Sequence, residues 1–177
     1  MTSDLYILNY CHPNCVPLRN IMRLPRDEAF ALAHEMAAQN RETTAFYRFA
    51  DFERYYPERM KTDFLLRRRF IELGGKPVQE HPLSFVLHGS DYLDAWFDHG
   101  TITRFPLDII PAQSISFTLG DSMSALQREG TFTMLTKDML LRIIADFDGP
   151  MDAFLSSVTR NYHYIEAQVW DDACLGL

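Results

Sequence analysis

The segment Cys11-His12-Pro13-Asn14-Cys15 places two thiols four residues apart, beside an imidazole. Thiolate and imidazole groups are ligands that zinc prefers, and a thiol with a lowered pKa is a candidate nucleophile. A tetrahedral site would also need distant ligands, because the sequence has no second Cys-x-x-Cys or His-x3-His spacing. The segment therefore predicts a metal or thiol site at Cys11, His12 and Cys15. The alternative is a pair of inert cysteines beside a turn.

A second candidate site combines three segments that are far apart in the chain. His88, Gly89 and Ser90 follow a predicted strand and precede a predicted short helix that ends before a glycine. Two later predicted strands contain Ser116-Phe117-Thr118 and Tyr164-Ile165-Glu166-Ala167-Gln168. Since side chains alternate between the faces of a strand, Glu166 and Gln168 share one face.

These segments, in this order, resemble the ADP-ribosyltransferase superfamily. In that family a His-Gly-Ser or His-Gly-Thr engages the nicotinamide ribose of NAD, and a late strand brings a glutamate. The second strand of the family brings a tyrosine or, in the arginine-type branch, a serine-containing motif. The corresponding strand of this chain has no tyrosine. The resemblance implies that His88 and Ser90 bind NAD and that Ser116 and Glu166 complete the catalytic set. A carboxylate there would stabilise the positive charge that develops as nicotinamide leaves.

The same residues also have a purely structural interpretation. His88 would then be a histidine at the end of a strand, hydrogen-bonded to the backbone, and Glu166 a solvated strand residue. The sequence leaves both interpretations open.

A basic stretch coincides with a predicted helix. Arginine beside tyrosine is suited to nucleotide phosphate, through forked hydrogen bonds and stacking. Acidic residues are interleaved with the basic ones, however, so a salt-bridged exposed face is the favoured interpretation. The basic residues are Arg54, Arg59, Lys61, Arg67, Arg68 and Arg69.

The charge balance restricts the class of partner. The 177 residues include 17 basic and 24 acidic side chains, a net charge of −7. Binding to duplex nucleic acid depends on a concentrated positive field, so a duplex partner is not expected. A protein partner or a small nucleotide remains.

Compartment is predicted from three absences in the sequence. No stretch approaches the 18 or more uninterrupted apolar residues of a membrane span, and Met1-Thr2-Ser3-Asp4 lacks the features of a secretory leader. Three cysteines are too few, and odd in number, for a disulfide scaffold. A cytoplasmic protein without membrane contact is therefore expected.

Hydrophobic periodicity predicts five helices, at 26–40, 55–73, 92–97, 137–147 and 151–160. It predicts strands at 5–10, 83–88, 102–107, 115–119 and 162–170, and the composition of 44–49 indicates a further strand. Met60, Phe64 and Ile71 are predicted to form the buried stripe of the second helix. On strand 115–119, apolar and hydroxyl side chains alternate, which predicts one buried and one polar face.

The irregular order of helices and strands favours an α+β fold with a mixed or largely antiparallel sheet and four to five helices. We expect a single domain over residues 1–177. Because the usual catalytic and nucleotide-binding motifs are absent, the leading hypothesis for function is an interaction or regulatory protein. The alternatives are an ADP-ribosyltransferase-like enzyme that acts on NAD or another nucleotide and, third, a zinc-dependent or thiol-dependent protein.

Overall fold

Six β-strands form one antiparallel sheet in the computed structural model, which describes residues 5–177. The four residues invoked for the missing leader lie outside this range. The strands are ordered β3-β1-β2-β6-β4-β5 across the sheet, and every pairing is antiparallel. The predicted α+β class with a largely antiparallel sheet is confirmed. The strands are β1 Tyr6–Cys11, β2 Leu83–Leu87, β3 Thr101–Pro106, β4 Ile115–Leu119, β5 Met134–Thr136 and β6 Ile165–Val169.

Seven α-helices lie within the described residues, including the five predicted from periodicity. The two additional helices, α2 and α5, are short. None of the seven is both long and apolar enough to cross a membrane. The helices are α1 Arg26–Gln39, α2 Tyr47–Ala50, α3 Phe52–Glu72, α4 Asp91–Trp96, α5 Ser122–Glu129, α6 Lys137–Asp146 and α7 Met151–Thr159.

The strand predicted at 44–49 is wrong, because this segment is helical. A 3₁₀ turn at Thr44–Phe46 leads directly into α2. The Thr43 hydroxyl begins the turn by accepting a hydrogen bond from the Ala45 N–H at 3.2 Å, and Phe46 is buried. Aromatic residues favour strands only where a neighbouring strand supplies a partner, and here the aromatic side chains pack against helices instead.

One face of the sheet carries the main apolar core. Alternate residues of the central strands point into this core, and α6 and α7 pack against it through Leu140 and Phe154. The strand residues in this core include Ile7, Leu83, Phe85, Leu87, Ile115, Phe117, Ile165, Ala167 and Val169.

The opposite face of the sheet is covered by α3. Near the end of this helix, Phe70 stacks on Trp170, with ring centroids 6.1 Å apart. The predicted buried stripe of α3 is wrong, since Met60, Phe64 and Ile71 are 38, 65 and 47% exposed. Another face of the helix is buried instead. This face combines apolar side chains with an ion pair between Arg59 and Asp63, whose charges balance each other. Its buried residues are Phe52, Arg59, Thr62, Asp63, Leu66 and Phe70.

Ion pairs lie along the exposed surface of α3, as the alternation of basic and acidic residues in this segment predicts. Arg54 pairs with Glu58, and both Arg68 and Arg69 pair with Glu72. The favoured interpretation of the basic stretch is confirmed for these residues.

Candidate active site

The face of β4 and β6 beneath α3 is polar and buried. Ser116, Thr118, Glu166 and Gln168 are each at most 5% exposed. The polar face predicted for β4 is present, but it is buried as well, because α3 and α5 cover it. Buried polar groups are costly unless they are hydrogen-bonded, so four of them on adjacent strands require a connected network.

Such a network is present, and Gln168 is at its centre. Ser116 Oγ donates to Gln168 Oε1 at 2.7 Å, while Gln168 Nε2 donates to Thr118 Oγ1 at 2.9 Å and to Glu166 Oε1 at 3.1 Å. Trp170 Nε1 extends the chain by donating to Ser116 Oγ at 2.8 Å. Fully satisfied buried networks make the positions of their members specific. Ser116 and Glu166, two of the predicted site residues, are thus held in one rigid unit.

The Glu166 carboxylate lies at the N-terminus of α5. Ser122 donates to it twice, from its N–H at 2.8 Å and from its hydroxyl at 3.1 Å. A second carboxylate, Asp121, caps the same helix by accepting the Ser124 N–H at 2.7 Å. The helix dipole favours negative charge at this end, and the turn between β4 and α5 therefore brings two acids together.

The two acids differ in their pKa values. Burial, followed by the neighbouring Asp121 charge, raises the pKa of Glu166. Burial also acts to raise the pKa of Asp121, but Arg48 and the hydrogen bonds from Ser124 outweigh it, so that this pKa is lowered. A pair of carboxyl groups with diverging pKa values is an arrangement that enzymes use for acid and base roles.

The helix α3 supplies a positive charge and a phenol to the same region. Arg59 is buried, lies close enough to Glu166 to interact with its charge, and pairs with Asp63 one turn further along the helix. Asp63 also hydrogen-bonds His81 Nδ1 at 2.7 Å. Burial raises the pKa of Tyr55, so this phenol is neutral.

Next to the two carboxyl groups, side chains in mutual contact form a closed circuit, which we call the aromatic rim. The Arg48 guanidinium lies 5.5 Å from the centroid of the Tyr47 ring and 4.0 Å from Asp121 Oδ2. Between these two ends the circuit continues through aromatic contacts, with centroids 5.7 to 6.5 Å apart, and closes with a 3.3 Å hydrogen bond from Tyr164 to Asp121. The rim consists, in order, of Arg48, Tyr47, Trp96, Tyr92, Tyr164 and Asp121.

His88 and Ser90 lie in the loop that follows β2, the strand paired with the Glu166 strand β6. Val86 is paired with Glu166 across β2 and β6, so His88 lies two residues further along. The His88 ring stacks on Tyr6 with centroids 4.2 Å apart, and burial lowers its pKa. Among the described residues, its buried Nδ1 has no hydrogen-bond partner, so the backbone hydrogen bond suggested as a structural alternative is not made at this atom.

Ser90 has a positioning role. Its hydroxyl caps α4 by accepting the Leu93 N–H at 3.2 Å, and its own N–H donates to the Tyr10 hydroxyl at 2.8 Å. No hydrogen bond within residues 5–177 joins His88 or Ser90 to Glu166. The motif His88-Gly89-Ser90 instead sets the start of α4, which carries two members of the aromatic rim.

The Cys11–Cys15 turn does not gather a metal-ligand set. Both ring nitrogens of His12 are engaged, Nε2 with Asp98 at 2.9 Å and Nδ1 with the Asn14 N–H at 3.1 Å. Within residues 5–177, no group of three His, Cys, Asp or Glu side chains is placed to hold a metal ion. Burial and the neighbouring Cys11 raise the pKa of Cys15 to about 11, the opposite of what activates a thiol.

Sequence reasoning missed several residues of this site, most clearly Arg48, Asp121 and Ser122. Arg48 lies in the segment wrongly predicted as a strand, and Asp121 and Ser122 lie at a turn between predicted elements, where no local motif marks them. The signal that could have found the last two is the polar alternation shared by β4 and β6. Two polar strand faces that pair in the sheet indicate a common polar interior.

No family model matches the chain, and no curated protein or solved structure is significantly similar to it. The resemblance to ADP-ribosyltransferases therefore stays a prediction, and function must be argued from the site.

Proposed function

We propose that the protein is an ADP-ribosyltransferase-like enzyme that acts on NAD or another nucleotide at the anomeric carbon of its ribose. The observation that carries this proposal is the convergence of Glu166 and Asp121, with pKa values shifted in opposite directions, at the N-terminus of α5. A purely structural cap needs one carboxylate, whereas this turn holds two.

The chemistry assigns a different task to each acid. As the bond from ribose to the base breaks, its electron pair leaves with the base and positive charge develops on the ribose. Ionised Asp121 stabilises this charge, and Arg48 keeps Asp121 ionised. Water forms the new C–O bond at the anomeric carbon and loses a proton to Glu166, whose raised pKa makes it the stronger base of the two acids. His88 and Ser90, assigned to the ribose by the resemblance, lie at the end of the adjacent strand.

The test is release of nicotinamide from NAD, or of free base from AMP, followed by chromatography. We expect Glu166→Gln and Asp121→Asn each to lower the rate by roughly 100-fold or more, as for other groups that stabilise charge in the transition state. Glu72→Gln is the matched control, since Glu72 lies on α3 at the surface and pairs only with Arg68 and Arg69 in the described part of the chain.

Glu166 also accepts hydrogen bonds from Ser122, so each variant must first show a wild-type melting temperature or a measured shift. A folded Glu166→Gln variant with wild-type turnover would contradict the assignment. Wild-type protein that releases no base from either nucleotide would contradict the proposed function itself.

The proposal places the enzyme in the cytoplasm. Cys11, Cys15 and Cys174 are all unpaired, which fits a reducing compartment. The substrate is a small nucleotide rather than a duplex, in keeping with the net charge of −7.

A second candidate, an interaction protein, is supported by the outer surface of α3. Phe64 is 65% exposed and Met60 38%. Beside them, a groove of about 410 Å³ is lined by Phe30, Tyr56 and Pro57 among others. Exposed apolar surface of this kind is typical of a face that receives a partner protein with apolar side chains of its own.

A photo-crosslinker at position 64 tests this second candidate. We expect it to yield one discrete adduct in cells, lost when Met60 is changed to serine, while a crosslinker at exposed Asp146 yields none. Equal labelling from both positions would contradict a specific interface. For the third hypothesis, a metal or thiol protein, the described part of the chain has neither an assembled ligand set nor an activated Cys15.

A further inference from the structure

Arg48 is the one rim residue whose charge is only partly engaged. Its Nε donates to the Tyr47 hydroxyl at 2.8 Å, whereas its Nη1 lies 4.0 Å from Asp121 Oδ2, beyond hydrogen-bond distance. No hydrogen bond from either Nη atom is made within residues 5–177. The side chain keeps 29% of its surface exposed. Its two Nη groups therefore form a free edge beside Asp121, the geometry that binds phosphate oxygens in pairs.

Arg59 shows the contrast within the same site. It is buried, and its guanidinium is committed to Asp63. Because Arg59 already has a counter-charge, an incoming anion gains little from it. Of these two arginines at the site, Arg48 is the one that is partly exposed to solvent and has Nη–H groups without a hydrogen-bond acceptor in the described residues.

The aromatic members of the rim offer apolar surface next to this cation, although one face of the Tyr92 ring is stacked on His163, with centroids 4.6 Å apart. Tyr47 is 53% and Tyr92 is 46% exposed. Trp96 lies between them, with its ring centroid 5.7 Å from that of Tyr47 and 6.0 Å from that of Tyr92. A nucleobase stacks on such side chains without requiring a particular sequence. A planar ring and an anion are thus bound by neighbouring parts of one rim.

The helix that carries Tyr92 and Trp96 is able to adjust to a ligand. None of the residues of α4 is buried. Residues in the left-handed region flank it on both sides, His88 with φ 59° before it and Asp98 with φ 52° after it. Segments with few buried contacts belong to the low-stability part of a fold. The rim therefore widens at a lower cost than the core would.

We propose that the aromatic rim is a subsite for a nucleoside diphosphate, with the base stacked on Trp96 and Tyr92 and the diphosphate bound by Arg48. The inference rests on the proposed function and names the part of the substrate that lies outside the reacting bond. It accounts for the presence of a free arginine edge and a stacking surface beside the two carboxylates.

Binding of ADP to the purified chain tests the subsite without any need for turnover. Of the two tryptophans, Trp170 is fully buried, so quenching of fluorescence by ADP reports on Trp96. We expect calorimetry to detect binding at submillimolar ADP. We also expect Trp96→Phe to remove the quenching.

Variants separate the two halves of the subsite. Arg48→Gln is expected to weaken ADP binding at least tenfold and leave adenosine binding unchanged, and Arg48→Lys to restore it only in part, since lysine lacks the fork. Tyr92→Leu is expected to weaken ADP and adenosine but not inorganic pyrophosphate. Arg54→Gln, a change to a surface arginine that pairs with Glu58, is the control and should leave all three unchanged.

Several outcomes overturn the inference. One is the absence of ADP binding at millimolar concentration. Another is binding that survives Arg48→Gln in a folded variant. Pyrophosphate that binds as tightly as ADP, with no effect of Tyr92→Leu, would show an anion site only. If ADP binds as expected but no nucleotide is cleaved, the proposed function fails and the subsite stands. If NAD is cleaved but the Arg48 and Tyr92 variants bind ADP as the wild type does, the proposed function stands and the subsite is refuted.

Discussion

Replacing Asp63 by asparagine removes the negative charge that balances a buried arginine. Asp63 has no exposed surface, pairs with Arg59 through one oxygen, and hydrogen-bonds His81 Nδ1 at 2.7 Å through the other. Breaking a buried pair by removing one partner costs about 3 to 5 kcal/mol, because the other charge stays buried without compensation. Asparagine keeps part of the hydrogen bonding, so we expect the lower end of this range, about 3 kcal/mol.

For a chain of this length, each kcal/mol shifts the melting temperature by about 2 to 4 °C, so the expected loss is roughly 6 to 12 °C. Urea unfolding followed by circular dichroism gives the free energy directly. The matched control is Glu72→Gln, which breaks exposed ion pairs on the same helix and should change stability little.

A double variant distinguishes loss of charge balance from loss of packing. Adding Arg59→Met to Asp63→Asn removes the uncompensated charge and should recover most of the lost free energy. The reasoning fails if Asp63→Asn is as stable as the wild type. It also fails if the double variant loses more free energy of unfolding than the two single variants lose together. The uncompensated charge would then not be the source of the loss.

Three further predictions concern other parts of the molecule. Burial raises the pKa of Glu166, so the contribution of this side chain to stability should fall as the pH rises above 4.5. In pH-dependent urea unfolding, Glu166→Gln should therefore gain stability relative to the wild type over this range, and a flat difference between the two contradicts the raised pKa. The pKa of Cys15 is raised from an ordinary value of 9.0 to about 11, so at pH 8 this thiol should react with iodoacetamide at least tenfold more slowly in the native protein than in urea. Mass spectrometry measures the labelling, and equal rates contradict the burial of Cys15. A Cβ at Gly100 would lie 2.1 Å from the Cys11 carbonyl oxygen, so Gly100→Ala should destabilise the native protein by about 1 to 3 kcal/mol or more. Gly130→Ala should cost less, because φ is +70° there but the space is open, and the opposite order of melting temperatures contradicts the steric argument.

Much of the secondary structure could be predicted because it depends on local periodicity. The alternation along β4 and β6 and the apolar spacing of α6 and α7 are properties of consecutive residues. The segment 44–49 could not be predicted in this way, since its aromatic residues suit a strand or a packed helix equally well. What decided it was the absence of a strand partner and the presence of α1 and α3 beside it.

The candidate site was predictable in part. Glu166 and Ser116 were selected because the order of their segments resembles that in ADP-ribosyltransferases, and the period of two residues places Glu166 and Gln168 on one strand face. Arg48 and Asp121 were missed, because an arginine in a short helix and an aspartate in a turn have no distinctive local pattern. Their relation to Glu166 exists only once β4, β6 and the α2–α3 region are brought together.

The sequence by itself determined the faces of the strands and helices, because the periods of two and 3.6 residues assign each side chain to a side of its element. Only the tertiary structure decided which side would be covered. On α3, Met60 and Phe64 have the apolar spacing of a core stripe, yet the helix buries Arg59 and Asp63 instead. The physical reason is that a buried charge is tolerated where partners satisfy it. Asp63 lies one helical turn from Arg59, but His81, the second partner of Asp63, lies outside the helix and is brought to it only by folding.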